Sequence, residues 1–307
     1  FVPPSHETIT GALAWFEKEL TTRSNGELTL KVYAAGQLGA GPTQQSKRAV
    51  EGVADITFGI AASTPTLFPK TMLAILPGKA VNGPDSTRRM WTVFDKYMAD
   101  EWSDVKVLAV GNPAGGMIIA TKDVSTIEGM KGTKIVPWAA ITTPVLQGMG
   151  AVPVQLDPTE HYTALSTGTI DAAISSINNI MPPWNLDEVA NYAVVNTPAT
   201  FNPVFYVMNK ERYESLSAKH QNIIDEISGM PFSIQLVLAF HDADEVALKW
   251  KYEKIAAGEL NVEWIVTSDS ERAKMEAAAA AGMEAIYSDY ADRGIQNAQK
   301  IYEALNK

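Results

Sequence analysis

Apolar residues along the chain alternate between two spacings, one typical of helices and the other typical of strands. From Gly11 to Leu20 the apolar residues recur at helical spacing, whereas Leu28 to Val32 alternates apolar and polar residues and predicts a strand. The same succession continues toward the C terminus. Its order of helix, strand, helix and strand is typical of an α/β fold.

The remaining pattern predicts at least twelve further elements. Helices are predicted at Thr43 to Gly52, Ser86 to Asp100, Thr143 to Met149, Thr159 to Thr167, Ser268 to Ser288 and Gly294 to Leu305. Strands are predicted at Ala54 to Gly59, Val105 to Val110, Lys134 to Trp138, Val152 to Leu156, Ala172 to Ser175 and Phe205 to Asn209. The stretch from Ser217 to Ala257 is almost wholly helical, and Pro231 predicts a kink or break in it. A helix of this length could lie across two lobes.

Composition narrows the class of protein. The chain has 307 residues, of which 46% are hydrophobic, so it has material for two domains or one large one. A formal net charge of −10 opposes nucleic acid or an anionic membrane surface as a partner. The absence of cysteine excludes disulfides and thiolate nucleophiles. No leader segment is visible, which suits a mature secreted protein and a cytosolic one equally.

The sequence contains no motif for catalysis or phosphate binding. It lacks a glycine-rich phosphate loop, a GxSxG elbow and an HExxH helix. His241 and Asp244 would share one face of a helix, yet no further histidine or cysteine joins them, so we interpret that cluster as a solvated surface. We therefore predict no metal, no cofactor and no catalytic residue, and expect that the chain is not an enzyme.

Three stretches, taken together, resemble a known family. They are SNGEL to YAAGQLG at residues 24–39, EGVADI at residues 51–56, and the run from Met130 to Asp171 that includes MKGTKI, GMGAVPV and YTALSTGTID. In this order and spacing they resemble the substrate-binding proteins of tripartite ATP-independent periplasmic (TRAP) transporters, the DctP-like family. The resemblance implies two α/β lobes, a ligand cleft between them and a long helix that spans both. It also implies that the lobes close over a solute, which is then delivered to the membrane permease subunits.

The resemblance also implies an organisation and a location. We expect one lobe to contain residues 1–119 and 204–240, and the other to contain residues 120–203 and 241–307. The mature protein is expected to be a periplasmic monomer whose signal peptide has been removed, with a small-molecule solute as ligand and no nucleic-acid partner. Family members begin with a strand, so we also expect a few mature residues before Phe1.

One departure from the family bears on the ligand. Most members have an arginine that pairs with a ligand carboxylate at the position of Val136, and a second arginine common near Gly116 is also missing. A buried carboxylate without a partner costs several kcal/mol, so the departure favours a neutral or cationic solute. The alternative is an organic-acid receptor with a replacement basic group, for which Lys79, Arg88 and Arg89 are candidates. A cationic solute would need an acidic partner, and Glu7, Asp85 and Asp157 remain open.

The expected ligand contacts follow from the family's cleft loops. The predicted ligand-binding residues are Trp138, Ser175, Ser176, Asn178, Ser63, His6, Phe201, Asn202 and Phe205. Trp138 could stack on an apolar ligand or contact a cation, or it could simply pack in the cleft wall. Two other functions remain open: an enzyme on a two-lobed α/β scaffold, since fold does not fix function, and a ligand-sensing module with a signalling partner.

Overall fold

A computed structural model describes residues 1–39, 41–80, 82–113, 116–182, 184–198 and 202–307. The strands within these ranges form two separate sheets, one with the order β1-β8-β2 and one with the order β5-β4-β6-β3-β7-β9. The strands are β1 (Ile56–Ile60), β2 (Val105–Gly111), β3 (Gly116–Ala120), β4 (Lys134–Val136), β5 (Val152–Pro153), β6 (Ala172–Ser176), β7 (Tyr192–Val195), β8 (Val204–Asn209) and β9 (Glu263–Val266). The predicted α/β fold with two lobes is confirmed, and each lobe is built around one sheet.

Helices surround both sheets. They are α1 (Ala14–Arg23), α2 (Gln45–Val50), α3 (Pro69–Met72), α4 (Gly83–Tyr97), α5 (Ile127–Met130), α6 (Thr143–Gly148), α7 (His161–Ser166), α8 (Lys210–Glu214), α9 (Ala218–Ile227), α10 (Met230–Ala257), α11 (Asp269–Asp292) and α12 (Ala298–Leu305). A π-helical segment, Thr8–Leu13, leads directly into α1. Short 3₁₀ turns are Ala61–Ser63, Leu73–Ile75, Ala99–Trp102, Ala140–Thr142, Pro158–Glu160, Ile177–Ile180 and Leu186–Glu188.

The central strand of the first sheet is buried on both faces. Every residue of β8 is buried, and successive side chains of a strand point to opposite faces. Tyr206 packs on one face with Phe232 of α10 at 5.1 Å between ring centroids. Phe205 packs on the other face against Trp102 at 5.2 Å. The first sheet is therefore an inner layer between helices, which fixes β8 firmly within the lobe.

Two strand connections and one helix join the lobes. Gly111 of β2 pairs with Val204 of β8 in the first sheet, and Ile118 of β3 pairs with Val194 of β7 in the second. The chain therefore passes between the two antiparallel pairs twice, once after Gly111 and once before Val204. The third connection is α10, whose 28 residues begin in the core of the first lobe and reach β9 in the second. There the Lys251 ammonium lies 4.1 Å from the centroid of the Trp264 ring.

The long helical stretch is interrupted where the sequence predicts. Gly229 has a φ of 69°, a conformation that glycine adopts without a steric penalty, and its N–H donates to the Leu108 carbonyl at 2.7 Å. Pro231 occupies the first turn of α10, where its missing amide hydrogen has no helical partner to lose. Among the described residues no single helix meets the length and apolarity needed to cross a membrane; α9 and α10 meet them only as a pair, bent by 47°.

One predicted strand is not formed, and three strands were not predicted. Leu28 to Val32 has no sheet partner among the described residues. Residues 29–34 and residues of β1 instead line a groove of about 500 Å³. The strands β3, β7 and β9 were missed because each is a short, mostly apolar run without an alternating pattern.

The predicted lobe boundaries remain a prediction. The whole of β3, Gly116–Ala120, belongs to the six-stranded sheet, so the sheets divide the chain slightly before residue 119. At the C-terminal end, α11 packs on α6 and α12 packs on α4. The hydroxyl of Tyr290 in α11 also donates to the Pro69 carbonyl at 2.8 Å. Together, α11 and α12 therefore contact helices around both sheets.

The close packing of α11 on α6 generates a stability prediction. A Cβ atom at Gly282 would lie 2.2 Å from the Pro144 carbonyl oxygen, so Gly282→Ala must push the two helices apart. We expect it to lower the free energy of unfolding by about 1–3 kcal/mol, as overpacking does. The measurement is urea unfolding, with Ala281→Ser on the exposed side of the same helix as the control. Unchanged unfolding of Gly282→Ala would contradict this packing.

Candidate functional site

The chain crosses between the two sheets at the ends of particular strands. In the second lobe β4 and β6 are parallel neighbours with Val136 opposite Ala173, so their carboxyl ends lie on the same side of the sheet. Because β3 runs antiparallel to β6 with Gly116 opposite Ser176, the chain from the first lobe enters β3 on that same side. In open α/β sheets, ligands bind beyond such carboxyl ends of strands. The cleft between the lobes is therefore the candidate site.

The second lobe presents Trp138 and the segment after β6. Trp138 follows β4 by two residues, and its Nε1 is buried without a hydrogen-bond partner among the described residues. Asn178 lies in the turn Ile177–Ile180, and its Oδ1 is buried and unpartnered in the same sense. A buried polar atom without a partner costs about 1–3 kcal/mol, so both atoms point to a missing partner.

The two predicted serines differ in their surroundings. Ser175 is only 1% exposed, and its Oγ accepts a hydrogen bond from Asn179 Nδ2 at 2.9 Å. It therefore supports the turn that positions Asn178. Ser176 is the last residue of β6 and is partly exposed.

The first lobe presents the turn after β1 and the second crossing. The N–H of Ala61 donates to the Pro203 carbonyl at 2.8 Å, which ties the turn Ala61–Ser63 to the segment that contains Asn202. Asn202 Oδ1 is buried and has no partner within the described ranges, and Ser63 is partly exposed. Phe201 lies outside the described residues.

Phe205 lies inside the first lobe. It is 1% exposed, and its ring occupies the space where a side chain at Gly59 would stand. Phe205 packs in the core against Phe68 and Trp102. The ligand role was predicted only from its position in the sequence, close to the second connection between the sheets.

His6 and Glu7 lie at the start of the first helical segment. The His6 ring packs between Phe58 and Phe240, with centroid distances of 6.3 and 6.1 Å. Burial lowers the pKa of His6 to about 4, so the ring is neutral at physiological pH. Burial likewise raises the pKa of Glu7. This end of the helix therefore contains a neutral imidazole and a carboxyl group whose ionisation is disfavoured by burial.

Asp244 lies on α10, which contacts both the helical segment after Glu7 and the turn Ile177–Ile180. Burial, followed by the charge of Glu7, raises the pKa of Asp244 to about 8, while the backbone N–H of Asn178 acts in the opposite direction. Asp244 is partly buried, whereas His241, Asp242 and Glu245 are exposed, as the sequence interpretation of a solvated surface expects. A single sequence gives no signal that α10 contacts both segments.

The described cleft segments contain no basic side chain. Residues 60–63, 111–113, 116–117, 137–139, 175–179, 196–198 and 202–204 include neither lysine nor arginine. Val136 does not take over a ligand contact: it is 2% exposed and packs in the core with Met117 and Ile119. Among the described residues, no group of three or more His, Cys, Asp or Glu side chains could hold a metal ion. The groove beside β1 is lined by none of the predicted site residues.

Known proteins similar to this chain match most or all of its length. The family model DctP, bacterial extracellular solute-binding protein family 7, matches residues 1–289. A marine metagenome TRAP solute binding protein specific for aromatic acid ligands, solved with metahydroxyphenylacetate, has a TM-score of 0.87 and 25% identity, covering 100% of this chain and 95% of that chain. A TRAP solute binding protein from Rhodoferax ferrireducens T118 with copurified benzoate has a TM-score of 0.85 and 25% identity, covering 100% and 94%. The Comamonas testosteroni protein TsaT, named an outer membrane transporter protein, is 25% identical over 286 residues, which are 90% of this chain and 81% of TsaT.

Asp244 generates a prediction about stability and pH. Its folded pKa of about 8 exceeds its ordinary value of 3.8, so the native state binds the additional proton, and the stability linked to this group is lost as pH rises through that interval. In Asp244→Asn this loss disappears. We expect the stability of Asp244→Asn relative to the unsubstituted protein to rise between about pH 5 and pH 8, by roughly 1 kcal/mol or more.

The measurement is denaturant unfolding across that pH range, with Glu245→Gln at the exposed neighbouring position as the control. His6 shifts stability in the opposite direction at acid pH, but that contribution is common to both proteins and cancels in their difference. A pH-independent difference for Asp244→Asn would show that this carboxyl group is solvated.

Proposed function

Because the chain belongs to family 7 of the bacterial extracellular solute-binding proteins, the DctP family, we propose that its ligand is a small aromatic carboxylic acid. The chain is a solute-binding receptor of the TRAP type, and receptors of this type bind small solutes and work with membrane permease subunits. Members of the family are periplasmic transport proteins. The aromatic acid, its place in the cleft and its delivery by this chain are the proposal.

The relatives support an aromatic acid. Two solved structures at 25% identity over the whole chain contain metahydroxyphenylacetate and benzoate. The neutral or amine ligand favoured by Val136 has no such support. Because Val136 is buried in the core of the second lobe, its side chain is also a poor guide to the polarity of the cleft. The aromatic acid therefore replaces the neutral or amine solute as the first candidate.

Neutral donors would bind the carboxylate. Trp138 Nε1–H is a buried donor without a partner among the described residues, and its indole offers an aromatic face as well. A hydrogen bond to a charged group contributes about 1.5–3 kcal/mol, so a few such bonds compensate partly for the missing guanidinium. The observation on which this part of the proposal rests is the unpartnered Trp138 Nε1.

A second candidate keeps an uncharged or cationic solute. It is favoured by Glu7 and Asp244, which bring acidic groups to a cleft whose segments contain no lysine or arginine. An ammonium group would ionise both carboxyl groups and pair with them. The two candidates differ in the charge of the preferred ligand, which a direct binding measurement decides.

A matched ligand panel tests the first candidate. Benzoate, benzyl alcohol and benzylamine present one ring with an acidic, a neutral and a cationic group. We expect calorimetry on the full chain to give the tightest binding for the acid, by at least about tenfold over the other two, which corresponds to about 1.4 kcal/mol. Tighter binding of the amine or the alcohol would overturn the aromatic acid in favour of the second candidate.

A substitution at Trp138 tests the carboxylate contact. Trp138→Phe keeps an aromatic face and removes the Nε1–H donor, so we expect benzoate affinity to fall by roughly tenfold, the effect of losing one charge-assisted hydrogen bond. Trp184→Phe makes the same exchange at an exposed position of the second lobe and serves as the control. Equal benzoate affinities of the two variants would show that Trp138 only packs in the cleft wall.

A further inference from the structure

We propose that Glu101 is a positioning residue for the ligand: its carboxylate fixes the first lobe's cleft loop, residues 61–68, so that loss of this carboxylate weakens ligand binding. This inference rests on the proposed function, because an aromatic acid serves as the probe. Glu101 lies in the 3₁₀ turn Ala99–Trp102 before β2, whereas the cleft lies beyond the other end of that strand. Glu101 therefore acts on the ligand through other residues.

The cleft loop has buried ends and an exposed tip. It follows β1, and at its start the fully buried Ala61 donates its N–H to the Pro203 carbonyl at 2.8 Å. At its end the buried Phe68 stacks on Trp102, with 4.0 Å between the ring centroids. Between these ends Leu67 is 52% exposed. A loop that exposes its tip depends on its two ends for its position.

Consecutive turns join the cleft loop to α3. The N–H of Thr64 donates to the Ala61 carbonyl, and the N–H of Leu67 donates to the Thr64 carbonyl, both at 3.0 Å. The N–H of Met72 in α3 then donates to the Phe68 carbonyl at 2.9 Å. Because each turn begins at or next to the residue where the previous one ends, the position of α3 constrains the position of the loop.

Glu101 binds the start of α3 with both carboxylate oxygens. Oε1 accepts a hydrogen bond from the backbone N–H of Lys70. Oε2 accepts hydrogen bonds from the backbone N–H and the hydroxyl of Thr71, both at 3.0 Å. Thr71 is fully buried, and its hydroxyl also accepts a hydrogen bond from Trp102 Nε1 at 3.2 Å. The first amides of a helix have no partner within it, so the carboxylate satisfies donors that burial would otherwise leave unpaired.

The charges around Glu101 come from α3 and α11. The Lys70 ammonium acts on the Glu101 carboxylate and pairs with the exposed Asp100. From α11, Tyr290 interacts with the charge of Glu101, and the Arg293 guanidinium lies 5.3 Å from the Tyr290 ring centroid. Helix α4 and β2 also pack on the turn, but among the described residues no charged group of theirs acts on Glu101. Burial raises the pKa of Glu101 to about 7 against the effects of Lys70 and the hydrogen bonds, so Glu101 exchanges its proton near neutral pH.

The ionised form of Glu101 matches the hydrogen-bond donors at the start of α3. A carboxylate only accepts hydrogen bonds, whereas a protonated carboxyl group contains one donor. After protonation, one oxygen presents a donor where Lys70 or Thr71 also donates. Protonation of Glu101, or its replacement by an amide, therefore weakens the attachment of α3 and the cleft loop to the turn.

The test measures benzoate affinity of the full chain by calorimetry at about pH 6 and about pH 8, on either side of the pKa of Glu101. Glu101→Gln keeps the size of the side chain but places an amide donor against a backbone N–H. Near pH 8 we expect this variant to bind benzoate about fivefold more weakly than the unsubstituted protein. Near pH 6, where Glu101 is protonated, the difference should shrink to about twofold or less.

This pH dependence separates the effect of the charge from a general structural effect of the substitution, which would be equal at both pH values. Asp244, Glu7 and His6 are present in both proteins, so their contributions cancel in the ratio of affinities. Asp100→Asn makes the same exchange on the exposed neighbour and should bind benzoate as the unsubstituted protein does, because exposed ion pairs contribute little.

Thermal unfolding shows whether each variant is folded. If Glu101→Gln is not, Thr71→Val takes its place, since it removes one donor to Glu101, and it should weaken benzoate binding about threefold near pH 8 and less near pH 6. Equal affinities near pH 8, or a difference that is the same at both pH values, overturn the positioning role and leave the proposed function intact. Failure of the unsubstituted protein to bind benzoate overturns the proposed function, and this inference with it.

Discussion

The arrangement of the site depends on the strand pairing at both ends of the two connections between the sheets. β2 and β8 are antiparallel neighbours in the first sheet, and β3 and β7 are antiparallel neighbours in the second. Both connections therefore join the same pair of strand ends in each sheet. This places the ends of β1, β4 and β6 around the same cleft. Loops with no sequence similarity thus converge because of strand pairing.

Buried polar contacts fix the first of these connections to its lobe. Asn112 is fully buried directly after β2, and its Nδ2 donates to the Ala74 carbonyl at 2.8 Å and to Ser86 Oγ at 2.7 Å. Its N–H donates to Thr87 Oγ1 at 2.9 Å. Each such bond contributes about 1 kcal/mol. The connection is therefore anchored on the first lobe as far as Asn112.

Sequence patterns predict the fold well where packing and local chemistry agree. The break at Gly229 and Pro231 and the buried strand β8 follow from residue types with strong conformational preferences. The failure at Leu28 to Val32 has a different origin, because alternation predicts a strand but cannot show whether a partner strand lies beside it. The missed strands β3, β7 and β9 are short apolar runs, which do not differ by periodicity from buried helical turns.

The site was only partly predictable for the same reason. Trp138, Asn178 and Asn202 were identifiable, since each follows or precedes a strand that ends at the cleft, and all three have buried unpartnered atoms. The packing of α10 against the segment Thr8–Leu13 joins parts of the chain more than two hundred positions apart, which no local pattern contains. The ligand charge inferred from the missing arginine at Val136 stays a prediction, and the acids in the solved relatives do not support it. Val136 itself is part of the core.

The raised pKa values of Glu7 and Asp244 reconcile the cleft of this chain with the acids bound by its relatives. Two ionised carboxylates would repel an acidic ligand, and at close range in a partly buried site this repulsion reaches several kcal/mol. Burying unpaired charge is costly enough that a carboxyl group retains its proton instead, which is the direction of the shifts at Glu7 and Asp244. A protonated carboxyl group does not repel the ligand and can donate a hydrogen bond to it. Desolvation of these two groups therefore lowers the negative charge of the cleft. Selectivity in such a cleft depends on hydrogen-bond geometry rather than on net charge.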